Sequence, residues 1–132
     1  MIKQRETTYR SYRVVSTLQQ DPNSLVELVD TGLNTRRFIK KSSSIPQRLR
    51  HEASMMHHAT HPAFPHICDH WQESDRYVLL IEYLYGEPLE QHLLRRTRFS
   101  EMQTLRIGLA LAQALRFLHE QTPALIYRDL KP

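Results

Sequence analysis

Four ionisable side chains of this sequence are of types that can bind an anion, hold a cation or accept a proton. They are Lys40, Glu52, Asp129 and Lys131. A lysine ammonium on a mobile stem must be held in place to be useful, and a carboxylate on a facing helix can hold it. A carboxylate can also accept a proton from a hydroxyl, and an ammonium group can offset negative charge. Each residue taken alone is more often a solvated surface side chain.

The elements that would position Lys40 are predicted to be short strands. Two β-rich runs, Tyr12 to Leu18 and Leu25 to Thr31, flank an Asp-Pro-Asn-Ser sequence that is typical of a turn. A second turn is expected at Thr31 to Asn34. A third strand, Arg36 to Lys41, would then carry Lys40.

A helix is predicted to follow and to carry Glu52. Pro46 suits the first turn of a helix, and Ser44 could cap it. The helix should run to about Ala59. It cannot continue far beyond that residue, because Pro62 pushes the residue before it out of the helical conformation.

The second half of the chain is predicted to be mainly helical. A strand pair, His66 to Trp71 with Arg76 to Tyr83, precedes a linker at Tyr85 to Pro88. A short helix should run from Pro88 to about Arg95. The longest helix should run from Ser100 to about Glu120.

This longest helix has two informative features. Ser100 and Gln103 form a capping-box pattern. Its apolar side chains include Leu105, Ile107, Leu109, Leu111, Leu115, Phe117 and Leu118. They point in nearly every direction around the helix, and a helix of this kind is normally buried on all sides. We therefore expect its packing partners to come from sequence beyond this chain.

Composition narrows the possible function classes. The chain has 132 residues, of which 40% are hydrophobic, and a net charge of +4, which fits one small core and disfavours disorder. The basic residues are scattered, so a nucleic-acid partner is not expected. The single Cys68 excludes an internal disulfide and fits a reducing cytoplasm. No apolar run approaches the roughly 20 residues that cross a bilayer. A cytoplasmic location is expected, and a membrane anchor after residue 132 would be compatible with it.

Several segments, in order from about Tyr12 to Pro132, resemble the protein kinases. Phe38-Ile39-Lys40 resembles the third-strand Val-Ala-Ile-Lys of that family, and Arg50-His51-Glu52-Ala53 resembles the helix whose Glu pairs with that lysine. Leu80 to Leu84 resembles the end of the fifth strand and the hinge. Tyr127 to Pro132 resembles the His-Arg-Asp-Leu-Lys-Pro catalytic loop, in a form similar to loops of many bacterial serine/threonine kinases.

The resemblance implies an α+β, protein-kinase-like fold. Residues 1–84 would form the N-lobe, an antiparallel five-stranded sheet with one helix. Within it, residues 19–24 would take the place of the glycine-rich loop and 82–86 would form the hinge. Residues 85–132 would begin an incomplete C-lobe that ends within the catalytic loop.

The resemblance also implies a function, the transfer of a phosphoryl group from ATP to a serine or threonine hydroxyl of a protein substrate. Asp129 would orient or deprotonate that hydroxyl, and Lys131 would offset charge on the transferred group. The residues that it assigns to ATP are Val26, Phe38, Lys40, Glu52, Ile81, Glu82 and Leu84. Lys40 and Glu52 would lie within about 4 Å of each other, Phe38 would lie over the adenine, and Ile81 would be the gatekeeper.

The expected partners and cofactors follow from the same resemblance. They are ATP, Mg²⁺, a protein substrate, the remaining C-lobe and, through the uncovered helix, a possible homodimer. The Mg²⁺ ligands would lie after residue 132, so the fragment alone is expected to be inactive.

The sequence departs from the family pattern at three positions. Gln19 to Val26 aligns with the glycine-rich loop but contains no glycine; Asp21 adds a negative charge there and Pro22 removes an amide donor. Phe38 replaces a small residue, and Tyr127 replaces a structural His with another aromatic ring. The first two departures support an alternative, a pseudokinase or non-catalytic interaction module.

Two further functions are disfavoured. A small-molecule phosphotransferase related to aminoglycoside kinases usually has Gly where this chain has Arg128. A metal site is not expected either, although five histidines lie close together in the sequence. They are His57, His58, His61, His66 and His70. Neighbouring helical residues point to different faces, and zinc sites usually include cysteine at a closer spacing.

Overall fold

The computed structural model describes residues 12–31, 36–96 and 98–132. The elements are β1 (Arg13–Gln20), β2 (Ser24–Asp30), β3 (Arg37–Ser43), α1 (Pro46–His58), β4 (Ile67–Glu73), β5 (Arg76–Glu82), α2 (Leu89–Leu94) and α3 (Glu101–His119). The turn predicted at Thr31 to Asn34 falls largely on residues 32–35, outside the described residues, so it stays a prediction.

The five strands form one antiparallel sheet in the order β1-β2-β3-β5-β4. The β1–β2 and β4–β5 connections are tight turns, and the β4–β5 turn contains Ser74 with a φ of 50°. Asp-Pro-Asn at the first turn suits this geometry, because these residues favour tight turns. The predicted kinase-like α+β fold, with a five-stranded antiparallel sheet and one helix, is confirmed.

Side chains alternate between the two faces of the sheet, and each face has its own apolar cluster. On the face that we call the helix face, Leu49 of α1 packs with Tyr77, Leu79 and Ile81. On the opposite face, which we call the outer face, Val29, Phe38 and Leu80 are fully or almost fully buried, and Tyr12, Cys68 and Trp71 pack against them. The sheet is therefore apolar on both sides, and the parity of a residue in its strand decides which cluster it joins.

The start of α1 differs from the prediction that Ser44 caps it. Ser43 Oγ accepts a hydrogen bond from the Ile45 amide at 3.0 Å. Ser44 contacts the β1–β2 turn instead: its amide donates to the Asn23 carbonyl oxygen at 2.9 Å, and its hydroxyl lies 3.4 Å from the same oxygen. The neighbouring turn thus takes the polar groups of Ser44, which the sequence pattern around Pro46 could not indicate.

The chain divides into two compact units. The sheet and α1 up to His57 belong to one, and residues 58–64 and 84–132 form the other. None of the helices in the described residues is long and apolar enough to cross a membrane. The predicted domain limits at residues 84 and 85 stay a prediction.

In the second unit, α3 begins with the predicted capping box. Ser100 Oγ accepts from the Gln103 amide at 3.2 Å, and Gln103 Oε1 accepts from the Ser100 amide at 2.8 Å. Further along α3, the Phe117 ring lies beside that of His61, with centroids 4.8 Å apart. Four large apolar side chains of α3 are nevertheless exposed: Met102, Leu105, Leu109 and Leu111.

Candidate functional site

Strand β3 carries two successive lysines, and they lie on opposite faces of the sheet. Lys40 is opposite Leu80 of β5, in the outer-face cluster, whereas Lys41 is opposite Leu79, in the helix-face cluster. The alternation of side chains along a strand forces this separation. Only one of the two lysines can therefore face α1.

Lys41 is the lysine that meets Glu52. Its Nζ lies 2.5 Å from Glu52 Oε1, and both side chains are about one-third exposed. The predicted pair of Lys40 with Glu52 is therefore wrong. A shift of one residue along a strand reverses the face of every side chain, and two successive lysines, Lys40 and Lys41, follow the apolar residues Phe38 and Ile39. Either lysine could therefore be aligned with the family lysine. The contact of Lys41 with Glu52 favours the alignment of Phe38-Ile39-Lys40-Lys41 with Val-Ala-Ile-Lys.

Lys40 has a separate set of partners on the outer face. Its Nζ lies 2.5 Å from the Tyr12 hydroxyl, 4.4 Å from the centre of the Tyr12 ring and 3.5 Å from Glu27 Oε2. Burial alone would lower the pKa of Lys40, but the contacts with Tyr12 and the charges of Glu27 and Glu73 outweigh burial and raise the pKa above its ordinary value. Lys40 is thus a charged, buried and paired residue of the outer face.

The same parity separates Phe38 from the pair of Lys41 with Glu52. Phe38 is 1% exposed in the outer-face cluster, so it does not share a face with Lys41. Ile39 lies on the helix face instead, opposite Ile81. Val26 of β2 is the cross-strand neighbour of Lys41. Of the predicted ATP-binding residues in the sheet, Val26 and Ile81 therefore lie on the face of Lys41 and Glu52, whereas Phe38 and Lys40 do not.

The β1–β2 turn, which the resemblance aligns with the glycine-rich loop, is closed by its own aspartate. Asp21 Oδ1 accepts from the Asn23 amide at 3.0 Å and from the Ser24 amide at 2.9 Å, and Oδ2 accepts from the Ser24 hydroxyl. The Asp21 amide donates across the turn to the Ser24 carbonyl oxygen at 2.9 Å. An Asp side chain that bonds the backbone two or three residues on is a common way to stabilise a turn.

The predicted hinge begins at the last residue of β5. The Glu82 amide donates to the His66 carbonyl oxygen at 2.9 Å, and Glu82 Oε2 accepts from the His66 amide at 3.3 Å. Leu84 is about half exposed. Gly86 adopts a φ of 151°, a conformation that residues with a Cβ rarely adopt.

The two residues predicted to be catalytic lie close to each other in the second unit. Lys131 Nζ is 3.1 Å from Asp129 Oδ2, and both side chains are largely exposed. The hydrogen bond and the charge of Asp129 raise the pKa of Lys131. An ion pair this exposed has little net effect on stability. Its relevant feature is that it places a carboxylate beside an ammonium group.

Within residues 12–31, 36–96 and 98–132, no group of three or more His, Cys, Asp or Glu side chains is arranged to hold a metal ion. The five histidines that lie close together in the sequence form no such group. His61 accepts from the Ala63 amide through Nδ1 at 3.1 Å, and His70 Nδ1 lies 2.8 Å from the Tyr77 hydroxyl. These two histidines therefore have local structural contacts.

Comparison with known proteins gives one family and a group of relatives. Residues 32–132 match the protein kinase domain family; the matched segment begins after the closed turn. The chain is 32% identical over 72 residues to the MAP kinase-interacting serine/threonine-protein kinase mnk-1 of Caenorhabditis elegans, covering 54% of this chain and 10% of that protein. It is 29% identical over 96 residues to a probable myosin light chain kinase of Dictyostelium discoideum, covering 73% and 30%. It is 31% identical over 90 residues to an Aurora kinase of Schizosaccharomyces pombe, covering 68% and 25%. The chain thus spans less than a third of the length of these relatives.

Proposed function

Because the chain belongs to the protein kinase domain family, we propose that it forms the first part of an ATP-dependent protein serine/threonine kinase domain in which Lys41 holds the phosphates of ATP. The observation that carries this proposal is the ion pair of Lys41 with Glu52 on the helix face. A lysine ammonium held by a carboxylate from a facing helix is positioned to bind phosphate oxygens.

The surroundings of Lys41 support the proposal. Val26 lies beside it on β2, and Ile39 and Ile81 face each other across β3 and β5 on the same side of the sheet. A nucleotide on this face would meet apolar side chains for its base and an ammonium for its phosphates, the usual composition of a cofactor site. Ile39 takes the place over the adenine that the resemblance assigned to Phe38.

The remaining roles come from the family loop and the hinge. Asp129 would orient or deprotonate a substrate hydroxyl, and Lys131 would offset charge on the transferred group. Backbone groups of Glu82 and Leu84 would bond the adenine edge. ATP would bring Mg²⁺, which neutralises phosphate charge, and we assign it no ligand in this chain. The bacterial type suggested by Tyr127 to Pro132 stays a prediction, and the relatives named above are eukaryotic.

The experiment that tests this proposal compares the two lysines of β3. Lys41→Met should weaken the binding of a fluorescent ATP analogue to the 132-residue chain by about tenfold or more, since a charge-assisted contact with phosphate is lost. The matched control is Lys40→Met combined with Glu27→Leu, which removes the outer-face lysine together with its buried acidic partner. The control should bind the analogue as the wild type does. Equal losses in the two proteins, or no saturable binding by the wild type, would contradict the proposal.

A second candidate, a pseudokinase or non-catalytic interaction module, is favoured by one observation, the turn closed by Asp21. This candidate predicts that neither lysine affects nucleotide affinity because none is measurable. The binding experiment above therefore separates the two candidates.

A further inference from the structure

We infer that the carboxylate of Asp21 occupies the anion-binding position of the β1–β2 turn, so that this turn does not hold the phosphate groups of a nucleotide. The inference rests on the proposed function for the identity of the excluded anion. Its structural basis, the hydrogen bonds of residues 21–24, stands independently of any nucleotide.

Every amide hydrogen of this turn already has a partner within the chain. Pro22 has none to give. The Asp21 amide bonds the Ser24 carbonyl oxygen, and the Asn23 and Ser24 amides both bond Asp21 Oδ1. The Ser24 hydroxyl bonds Oδ2 of the same carboxylate. Successive backbone amides that converge on one point form an anion-binding concavity, and here a carboxylate of the chain itself receives them.

The turn is also tied to the segment that leads into α1. The Ser44 amide donates to the Asn23 carbonyl oxygen at 2.9 Å. The hydrogen bonds from the Ser24 side chain and the Asn23 amide lower the pKa of Asp21, and the positive charge of Arg48 in α1 adds to the effect. The carboxylate is therefore stabilised in its charged form, and the turn is held from two sides.

A phosphate could enter this turn only by displacing that carboxylate. Displacement would break three hydrogen bonds and would bring a second negative charge next to the first. Asp21 thus acts as a specificity-determining residue: it leaves the recognition of phosphate to Lys41 on the helix face, and it removes the contribution that a backbone cradle would otherwise make.

The first test uses the wild-type chain alone and follows the backbone amide resonances of Asn23 and Ser24 by NMR. If both amides bond Asp21, their shifts should follow its protonation as the pH falls, with a midpoint below the ordinary pKa of Asp. Adding inorganic tripolyphosphate at neutral pH should leave both shifts unchanged. Amides that ignore the pH titration, or that move saturably with tripolyphosphate, would overturn the inference.

The second test frees the amides. Asp21→Gly should make the Asn23 and Ser24 resonances respond to tripolyphosphate, whereas Asp75→Gly, an equivalent change in the β4–β5 turn, should behave as the wild type does. A lack of response in Asp21→Gly would show that the turn has no anion-binding position to occupy. The readout of this test is at residues 23 and 24, and tripolyphosphate carries no nucleotide base. A negative result here is therefore distinct from a negative result in the Lys41 experiment.

Discussion

Lys40 is a charged residue in an apolar cluster, and its neighbours determine whether that is tolerable. Its side chain is only 10% exposed and that of Glu27 only 11%. Removing either partner would leave the other as an uncompensated buried charge, which is more costly than removing both. The Tyr12 hydroxyl also accepts a hydrogen bond from the ammonium group. The outer face therefore depends on a matched pair of charges.

We expect Lys40→Met to lower the free energy of unfolding by about 3 kcal/mol, because Glu27 is then left buried without its partner. Urea denaturation followed by the fluorescence of Trp71 measures this, since Trp71 is the only tryptophan and packs against the outer-face cluster. The control is Lys40→Met with Glu27→Leu, which should recover most of the loss. If the double variant is as unstable as the single one, the pairing of the two charges does not explain the stability.

The same pair gives a pH dependence whose sign is set by the raised pKa of Lys40. The folded chain holds this proton more tightly than the unfolded chain, so the stabilisation is complete below the ordinary lysine pKa. It is lost as the pH rises through the higher pKa of the folded chain. The free energy of unfolding of the wild type, measured relative to that of the double variant, should therefore fall as the pH rises through the alkaline range.

At the scale of elements, the sequence was sufficient wherever a local signal acts alone. Turn residues located the β1–β2 hairpin, Pro46 located the start of α1, and Ser100 with Gln103 located the start of α3. The register of β3 could not be predicted in this way. Phe38 and Ile39 are both apolar and Lys40 and Lys41 are both basic, so the strand shows no alternation from which a face could be assigned. The pairing of Glu27 with Lys40 depends on strand register and was missed for the same reason.

The position of Glu52 depends on how α1 packs, and Leu49 is the residue of α1 buried in the helix-face cluster. Leu49→Ala should lower the free energy of unfolding by about 2–4 kcal/mol, through lost burial and the cavity left between the helix and the sheet. Urea denaturation of the sheet unit measures it, with His51→Ala on the exposed side of the same helix as the control. An equal effect of the two substitutions would show that Leu49 does not anchor the helix.

At the scale of the whole molecule, the two units differ in how well their apolar residues are covered. The sheet buries side chains on both faces, whereas α3 buries only Ala114 and Leu118. Leu105 and Leu109 are each 60% exposed, and Met102 is 58% exposed. Their spacing of three or four residues places them on neighbouring positions of the helix surface. A contiguous apolar surface of this kind on a soluble protein usually marks a site of association.

We therefore expect the isolated chain to self-associate through α3 and to bind a dye specific for apolar surfaces. Replacing both Leu105 and Leu109 with Glu should shift the light-scattering mass toward the monomer and reduce dye binding, because charged groups oppose the burial of this surface. Gln113→Glu adds a charge at an exposed polar position of the same helix and should leave the association unchanged. A wild-type chain that is a monodisperse monomer and binds no dye would mean that α3 obtains its cover within these 132 residues. The exposed leucines would then have no role in association.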